Sequence, residues 1–226
     1  NNNIAPEYAY SAELGFSKTF QREYHSNGTN IYKVNFLTIG ATGFCTVLDN
    51  AIIREDYELN GLDSLIYEDE NRKIQTNINA EQAIIYGGSG RIKILFTKNI
   101  HLSSSINYTQ GYLTSSKEPF AHIPPVFGKT GLLFEKENWD IELFSHYNGW
   151  KRKADFAAGT SDNRQEATVD GSPSWYTINF RASVSLNESI TLQFGLNNLL
   201  DQHYKMFASG ISAPGRNIMV SGRVFF

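Results

Sequence analysis

The sequence predicts an all-β, antiparallel transmembrane β-barrel. Three observations point to it: an apolar pattern of period two, connections that alternate between tight turns and long polar loops, and aromatic residues gathered at the ends of the alternating segments. The period is plainest from Trp175 to Leu186, where Tyr176, Ile178, Phe180, Ala182, Val184 and Leu186 share one face. Thr177, Asn179, Arg181, Ser183 and Ser185 share the other. Ile190, Leu192, Phe194 and Leu196 repeat the pattern against Thr191, Gln193, Gly195 and Asn197, and Ile218, Val220, Gly222, Val224 and Phe226 close it. Tyr8 to Phe16, Arg91 to Phe96 and Trp139 to Asn148 alternate in the same way.

About nine strands are expected, at 8–18, 31–53, 78–97, 100–113, 126–135, 139–149, 175–186, 190–198 and 217–226. Between Val34 and Val47 the apolar positions change phase, which marks a bulge or an extension beyond the membrane. Ile52 to Tyr67, with Asn60-Gly61 midway, reads as a protruding hairpin. Thr97-Lys98-Asn99, Lys136-Glu137-Asn138 and Asn187-Glu188-Ser189 read as tight turns, and 114–125, 150–174 and 199–216 as long polar loops. Tyr8, Tyr10, Tyr108, Tyr147 and Tyr176 fall near the long-loop side. Phe16, Phe96, Phe134, Trp139 and Phe226 fall near the short-turn side, so two aromatic girdles are expected.

Composition removes several other classes. The formal net charge is -3 with 19% charged residues, so no nucleic-acid partner is expected. Aromatic residues reach 13%, yet no apolar run approaches the roughly 18 residues that a membrane helix needs. Cys45 is the only cysteine, which excludes an internal disulfide and a thiolate metal site. Asn1 to Pro6 carries no basic segment followed by an apolar core, so a mature form or a fragment is expected.

Alternation alone also fits a soluble sandwich or an enclosed ligand-binding barrel. The loop asymmetry, the two girdles and the charge-free apolar faces favour the membrane. Strand parity adds a further expectation. Bacterial single-chain barrels have even strand numbers with both termini inside. Nine strands ending on the short-turn side put Asn1 on the long-loop side, so strands are expected upstream.

Several segments, in order over nearly the whole chain, resemble the C-terminal half of TonB-dependent receptors. They are Pro6-Glu7-Tyr8 leading into Glu13-Leu14-Gly15-Phe16; Leu48 to Arg54 followed by Gly61 and Asp63 to Tyr67; and Ile123-Pro124-Pro125. The end of the chain matches best: Gly195-Leu196-Asn197-Asn198-Leu199-Leu200-Asp201, Tyr204, Ala213-Pro214-Gly215-Arg216-Asn217 and the aromatic terminus Phe226. The resemblance implies that residues 1–226 are the last strands of a larger barrel of about 22 strands. It further implies a bacterial outer-membrane location and energised uptake of a scarce ligand, an iron-siderophore or haem-type chelate first, with cobalamin or an oligosaccharide as other cargoes. The implied partners are the outer-membrane lipid bilayer, the protein's own N-terminal plug domain, the TonB energy-coupling protein through the N-terminal region, and the assembly machinery through Phe226. A passive porin, an outer-membrane barrel enzyme and a soluble β-sandwich binding module are the alternative readings.

No catalytic constellation, cofactor or metal site is expected. His25, His101, His122, His146 and His203 are dispersed, and no Gly-x-Ser-x-Gly elbow occurs. Gly87-Gly88-Ser89-Gly90-Arg91 lacks the Lys-Ser/Thr ending of a phosphate loop and reads as a bulge or a close backbone approach. Candidate ligand contacts are Trp150, Arg152, Arg164, His203 and Tyr204, which combine charge and stacking surfaces for an anionic chelate. Packed or solvated loop side chains are the bland reading of each. Pro214, Gly215 and Arg216 are assigned to shaping the last loop, with Arg216 holding carboxylates or loop carbonyls. Glu13, Arg91, Lys93, Asp140, Glu142, Arg181 and Arg223 are expected on the inner face.

Overall fold

A computed structural model describes residues 4–26, 30–80, 82–158 and 162–226. Nine strands form one antiparallel sheet in the order β1-β2-β7-β8-β9-β10-β13-β14-β15. The strands are β1 (Tyr8–Ser26), β2 (Asn30–Asp49), β3 (Ile52–Asp56), β4 (Ser64–Tyr67), β5 (Glu70–Lys73), β6 (Gln75–Asn79), β7 (Gln82–Thr97) and β8 (Ile100–Leu113). They continue as β9 (Phe127–Lys136), β10 (Trp139–Asn148), β11 (Lys151–Arg152), β12 (Gly171–Ser172), β13 (Trp175–Ser185), β14 (Ile190–Asn197) and β15 (Asn217–Val224). Main-sheet neighbours follow one another along the chain, with the β3–β6 excursion between β2 and β7, and all their pairing is antiparallel.

One ladder row shows how the sequence builds the wall. Phe20, Leu37, Ile94, Leu102, Leu132, Leu143, Phe180, Leu196 and Ile218 lie opposite one another across the nine strands. All point to one face. The adjacent row on the other face reads Thr19, Thr38, Lys93, Ser103, Gly131, Phe144 and Asn179. The large apolar side chains of the first face stay open: Leu14 is 82% exposed, Val220 76% and Tyr10 65%. A water-soluble sheet would cover such a face, whereas hydrocarbon is its matching solvent. Glu13, Arg91, Lys93, Asp140, Glu142, Arg181 and Arg223 all take the opposite parity, as expected.

The row slants. It meets β15 at Ile218, next to the long-loop end of that strand, but meets β1 at Phe20, about twelve residues beyond Tyr8 at the same end. Such stagger is the shear that closing a tilted sheet into a barrel requires. For the same reason Phe16 shares a row with Tyr147 and Tyr176 although it was assigned to the opposite girdle.

Most strand limits agree with the alternation to within a residue or two, and three differ. β1 continues to Ser26 rather than stopping near 18, because its polar face goes on pairing where the apolar pattern lapses. Thr19 bonds Thr38 at 3.2 Å, Gln21 donates to Asn35 at 2.9 Å, and Glu23 pairs with Lys33 at 3.2 Å. The phase change in the second segment is a bulge: Phe20 opposes Leu37 and Gln21 opposes Asn35, leaving Phe36 as the additional residue. The expected strands at 31–53 and 78–97 both shed an end into a separate hairpin, in which β3 pairs with β6.

That hairpin has two tips. Asn60, at φ 55° in the left-handed region, and Gly61 make the expected turn, closed by Leu59 N–H donating to the Leu62 carbonyl at 2.9 Å. Glu68 and Asp69, with φ of 52° and 62°, make a second turn between β4 and β5 that no glycine or asparagine announces. Gly87 and Gly88 lie in regular β7 and mark close approach rather than a bulge. A Cβ at Gly87 would meet the Phe44 ring at 2.9 Å, and one at Gly88 the Thr42 carbonyl at 2.8 Å. Asn1 to Asn3 lie outside the described residues, as do 27–29, Glu81 and 159–161.

The apolar face generates a direct test in the complete barrel. Leu143→Arg, at mid-strand on that face, is expected to cost about 2–4 kcal/mol of unfolding free energy. Gln193→Arg, at mid-strand on the polar face, is expected to cost less than about 1 kcal/mol. Equilibrium denaturation in lipid vesicles measures both, and equal costs would reject the assignment of faces.

Candidate functional site

At the long-loop end a small apolar core of Leu48, Ala51, Ala83 and Leu113 joins the root of the β3/β6 hairpin to the 114–125 loop through Ile53 and Phe120. Three long loops then converge beside it, and Asp162 holds two of them together. Its side chain is wholly buried; Oδ1 accepts the His122 N–H at 2.7 Å and Oδ2 accepts the Ala157 N–H at 2.9 Å. Bonds to a carboxylate satisfy both backbone donors where water is excluded. Lys151, 4% exposed, donates to the Ile123 carbonyl at 2.8 Å and lies 5.3 Å from the centre of the Phe207 ring. Burial pushes its ammonium below the usual lysine range, with Asp162 and Asp155 partly opposing the shift.

The 150–174 and 199–216 loops are tied by further contacts. Lys205 pairs with Glu166 at 2.8 Å, Asn163 donates to the Ala208 carbonyl at 2.7 Å, and the Phe156 and Phe207 rings meet edge to face at 5.5 Å. Trp175 and Tyr204 stack at 4.2 Å with 33° between their planes.

The expected ligand contacts therefore divide. Trp150 and Arg152 form one exposed unit, the guanidinium 4.6 Å from the indole centre, and the indole N–H donates to the Asp170 backbone carbonyl at 3.4 Å. Arg164 reaches the Lys153 carbonyl at 3.3 Å. His203 bonds Ser212 at 2.9 Å, and with Tyr204 it lines a recess of about 260 Å³ shared with Trp175, Lys205 and Glu166. Trp175 Nε1 is buried there and has no hydrogen-bond partner; it stands alone in that respect among the described side chains. Trp175 was read only as the first residue of a strand. Its value as a donor depends on Tyr204, which is distant in sequence, and no local pattern signals it. Among the described residues no group of three or more His, Cys, Asp or Glu gathers as a metal site.

Pro214, Gly215 and Arg216 shape the last loop. The Arg216 N–H donates to Asp201 Oδ1 at 2.7 Å and its Nε to the Leu199 carbonyl at 3.1 Å. A Cβ at Gly215 would stand 2.7 Å from the same Asp201 oxygen. Asn198, at φ 51°, bridges the loop by accepting the Gln202 N–H at 2.9 Å and donating to the Pro214 carbonyl at 3.3 Å. Phe226 ends the chain beyond β15, fully exposed.

A family model described as "TonB dependent receptor-like, beta-barrel" matches residues 1–199. No curated protein matches the sequence. Solved structures with the same fold include the copper transporter OprC, at 18% identity and a TM-score of 0.75, covering 100% of this chain and 32% of that one. The ferric enterobactin receptor PfeA of Pseudomonas aeruginosa superposes with a TM-score of 0.68 at 18% identity, over 100% of this chain and 32% of its own. The siderophore receptor PirA of Acinetobacter baumannii gives 0.66 at 16% identity, over 100% and 33%. The chain thus spans about a third of the length of the structures it matches.

Two outcomes follow from the loop contacts. Asp162→Ala strands two buried N–H groups, and is expected to cost the loop cluster about 2–4 kcal/mol and to speed proteolytic nicking within 150–174. The buried ammonium of Lys151 opposes loop closure below its depressed pKa. That cost is relieved as pH rises through this value toward the 10.5 of the free side chain. Denaturant unfolding of the loops should therefore shift to higher midpoints over that alkaline window in the native protein, and Lys151→Met should remove the dependence.

Proposed function

The chain belongs to the TonB-dependent receptor β-barrel family, and on that premise we propose that the complete protein is an energised importer in the bacterial outer membrane. The family membership and the two-faced sheared sheet carry the reading together. A wall with one largely apolar face, on which Lys18 is an exception laid over the Phe20 ring, and a charged opposite face suits a lipid-embedded barrel with a filled lumen. The activity is uptake, not catalysis. The proposed cargo is an iron chelate of siderophore or haem type, in keeping with receptors of similar fold whose names include a ferric enterobactin receptor and a siderophore receptor. The proposed partners are an N-terminal plug domain, the TonB coupling protein acting on it, and the outer-membrane assembly machinery, which reads the terminal strand ending in Phe226.

The proposed ligand surface is the rim of the 150–174 and 199–216 loops. Trp150 and Arg152 offer a flat cationic face at its outside, and Arg164 adds a second guanidinium. Inside, Trp175, His203 and Tyr204 line a recess, and the buried Trp175 indole N–H has no partner of its own, so a shift of the loop would offer it to an acceptor atom.

Deletion of the full-length gene tests the transport reading. Loss of growth on ferric chelates as sole iron source, restored by the gene only when the inner membrane is energised, is the expected result. Uptake that continues after de-energisation would point to a passive pore instead. Trp175→Phe keeps a ring over Tyr204 and deletes the donor. It is expected to weaken ligand binding by about tenfold, the equivalent of one hydrogen bond, with little change in barrel stability. Unchanged affinity in a titration of the purified receptor would remove this recess from the ligand surface.

A further inference from the structure

Lys18 and Arg22 interrupt the apolar face of β1 near its short-turn end. Lys18 stands opposite Ile39 and Arg22 opposite Val34, so both share the parity of Leu14, Phe16 and Phe20 and face the lipid. Among the described residues neither has an ion pair or a side-chain hydrogen bond. The neighbouring carboxylate, Glu23, points to the other face and pairs with Lys33 at 3.2 Å.

The two cationic heads lean towards each other. Lys18 Nζ lies 5.8 Å from the centre of the Phe20 ring, and the Arg22 guanidinium lies 5.0 Å from that of Phe36. Phe36 is the additional residue of the β2 bulge, set between Leu37 opposite Phe20 and Asn35 opposite Gln21. The bulge thus puts a second ring at the level of Phe20, and each ring carries one cation.

The level of this cluster says what covers it. The row through Lys18 and Ile39 reaches β7 at Ile92, a short way before that strand ends at Thr97. Rows descend towards the short-turn side as they approach β1, so Lys18 is closer to that edge than Ile92 is. Beyond it the β1–β2 pair runs on: Leu37 and Ile94 share a row, yet β2 continues to Asn30. The cluster therefore sits where the hydrocarbon gives way to headgroups, the layer in which aromatic rings and cations collect. Stacking on a ring leaves a cation's charge in place, whereas a lipid phosphate neutralises it.

We propose that Lys18 and Arg22 form a binding site for the phosphate of an anionic glycerophospholipid in the periplasmic leaflet. Phe20 and Phe36 form its floor, and the acyl chains run up the wall over Phe16 and Leu14, both open on this face. The bulge then has a role beyond register, since it brings the ring that carries Arg22 to the site. The inference rests on the placement of the chain in the outer membrane and is independent of the cargo.

Lipid retention by the full-length receptor tests this. The protein is inserted into vesicles of phosphatidylcholine with a minor fraction of phosphatidylglycerol and extracted in a mild non-ionic detergent. The lipids that stay bound to the folded barrel are then counted by native mass spectrometry. The expected result is phosphatidylglycerol enriched several-fold over the vesicle composition. Lys18→Gln with Arg22→Gln should remove most of that enrichment, while Lys18→Arg should keep it. Arg91→Gln with Lys93→Gln, which neutralises two cations of the opposite face, should also leave it unchanged. Lipid retained at the vesicle ratio would mean that water or a neighbouring strand satisfies the two cations, and overturns the proposal. Enrichment that persists in the Lys18→Gln, Arg22→Gln protein overturns it too, as does displacement of phosphatidylglycerol by inorganic phosphate, which would mark a free-anion site. Failure of the barrel reading would show separately, as a full-length protein that does not insert into the vesicles.

Discussion

The constraint on which the rest depends is that every backbone N–H and C=O in a hydrocarbon layer must bond to another backbone group. A sheet meets it only if neighbouring strands stay in register over the full thickness. Here the ladder runs through nine strands and shifts register at two bulges, at Phe36 and near Phe96. Those bulges lie toward the short-turn ends, where the strands leave the apolar band. With the backbone satisfied internally, side-chain parity alone decides which solvent each face meets. The row from Phe20 to Ile218 is apolar in all nine strands for that reason.

The usual logic of a protein core is inverted. Few described side chains are fully buried, and many large apolar groups are open. What a soluble domain gains by collapse, this wall gains from lipid on its apolar side. Buried residues instead concentrate at the long-loop end, where loops leave the sheet and must satisfy their own polar groups. Asp162, Lys151, Asn179 and Asn198 are buried there, and each is engaged by backbone groups of a neighbouring segment. The rim is thus organised by polar side chains, and the wall by apolar ones.

That division explains why the proposed ligand surface is placed at the rim. A lipid-facing wall cannot carry charge within the hydrocarbon without large cost, so ligand recognition has to use loops and the inner face. The rim offers a stacked cation at Arg152 and an unpartnered donor at Trp175; the inner face offers unpaired cations at Arg91 and Lys93. Each group is exposed or poorly satisfied in this stretch of wall and rim.

The sequence by itself determined fold class, strand order and the faces of the strands, because a period of two is a local property that survives without tertiary information. It also placed the tight turns and the long loops, and it carried the family resemblance in short ordered segments such as Gly195 to Asp201. It misjudged the end of β1, where Thr19, Gln21 and Glu23 keep pairing after the apolar pattern stops, and it did not foresee the Glu68-Asp69 turn, whose residues carry no turn signature. The tertiary structure alone decided the shear, since register between strands is set by pairwise contacts and not by either strand separately. It alone brought Asp162 to His122, Tyr204 to Trp175 and Arg91 over Gly40. Those residues are far apart along the chain, and their chemistry depends on what the folded chain places against them.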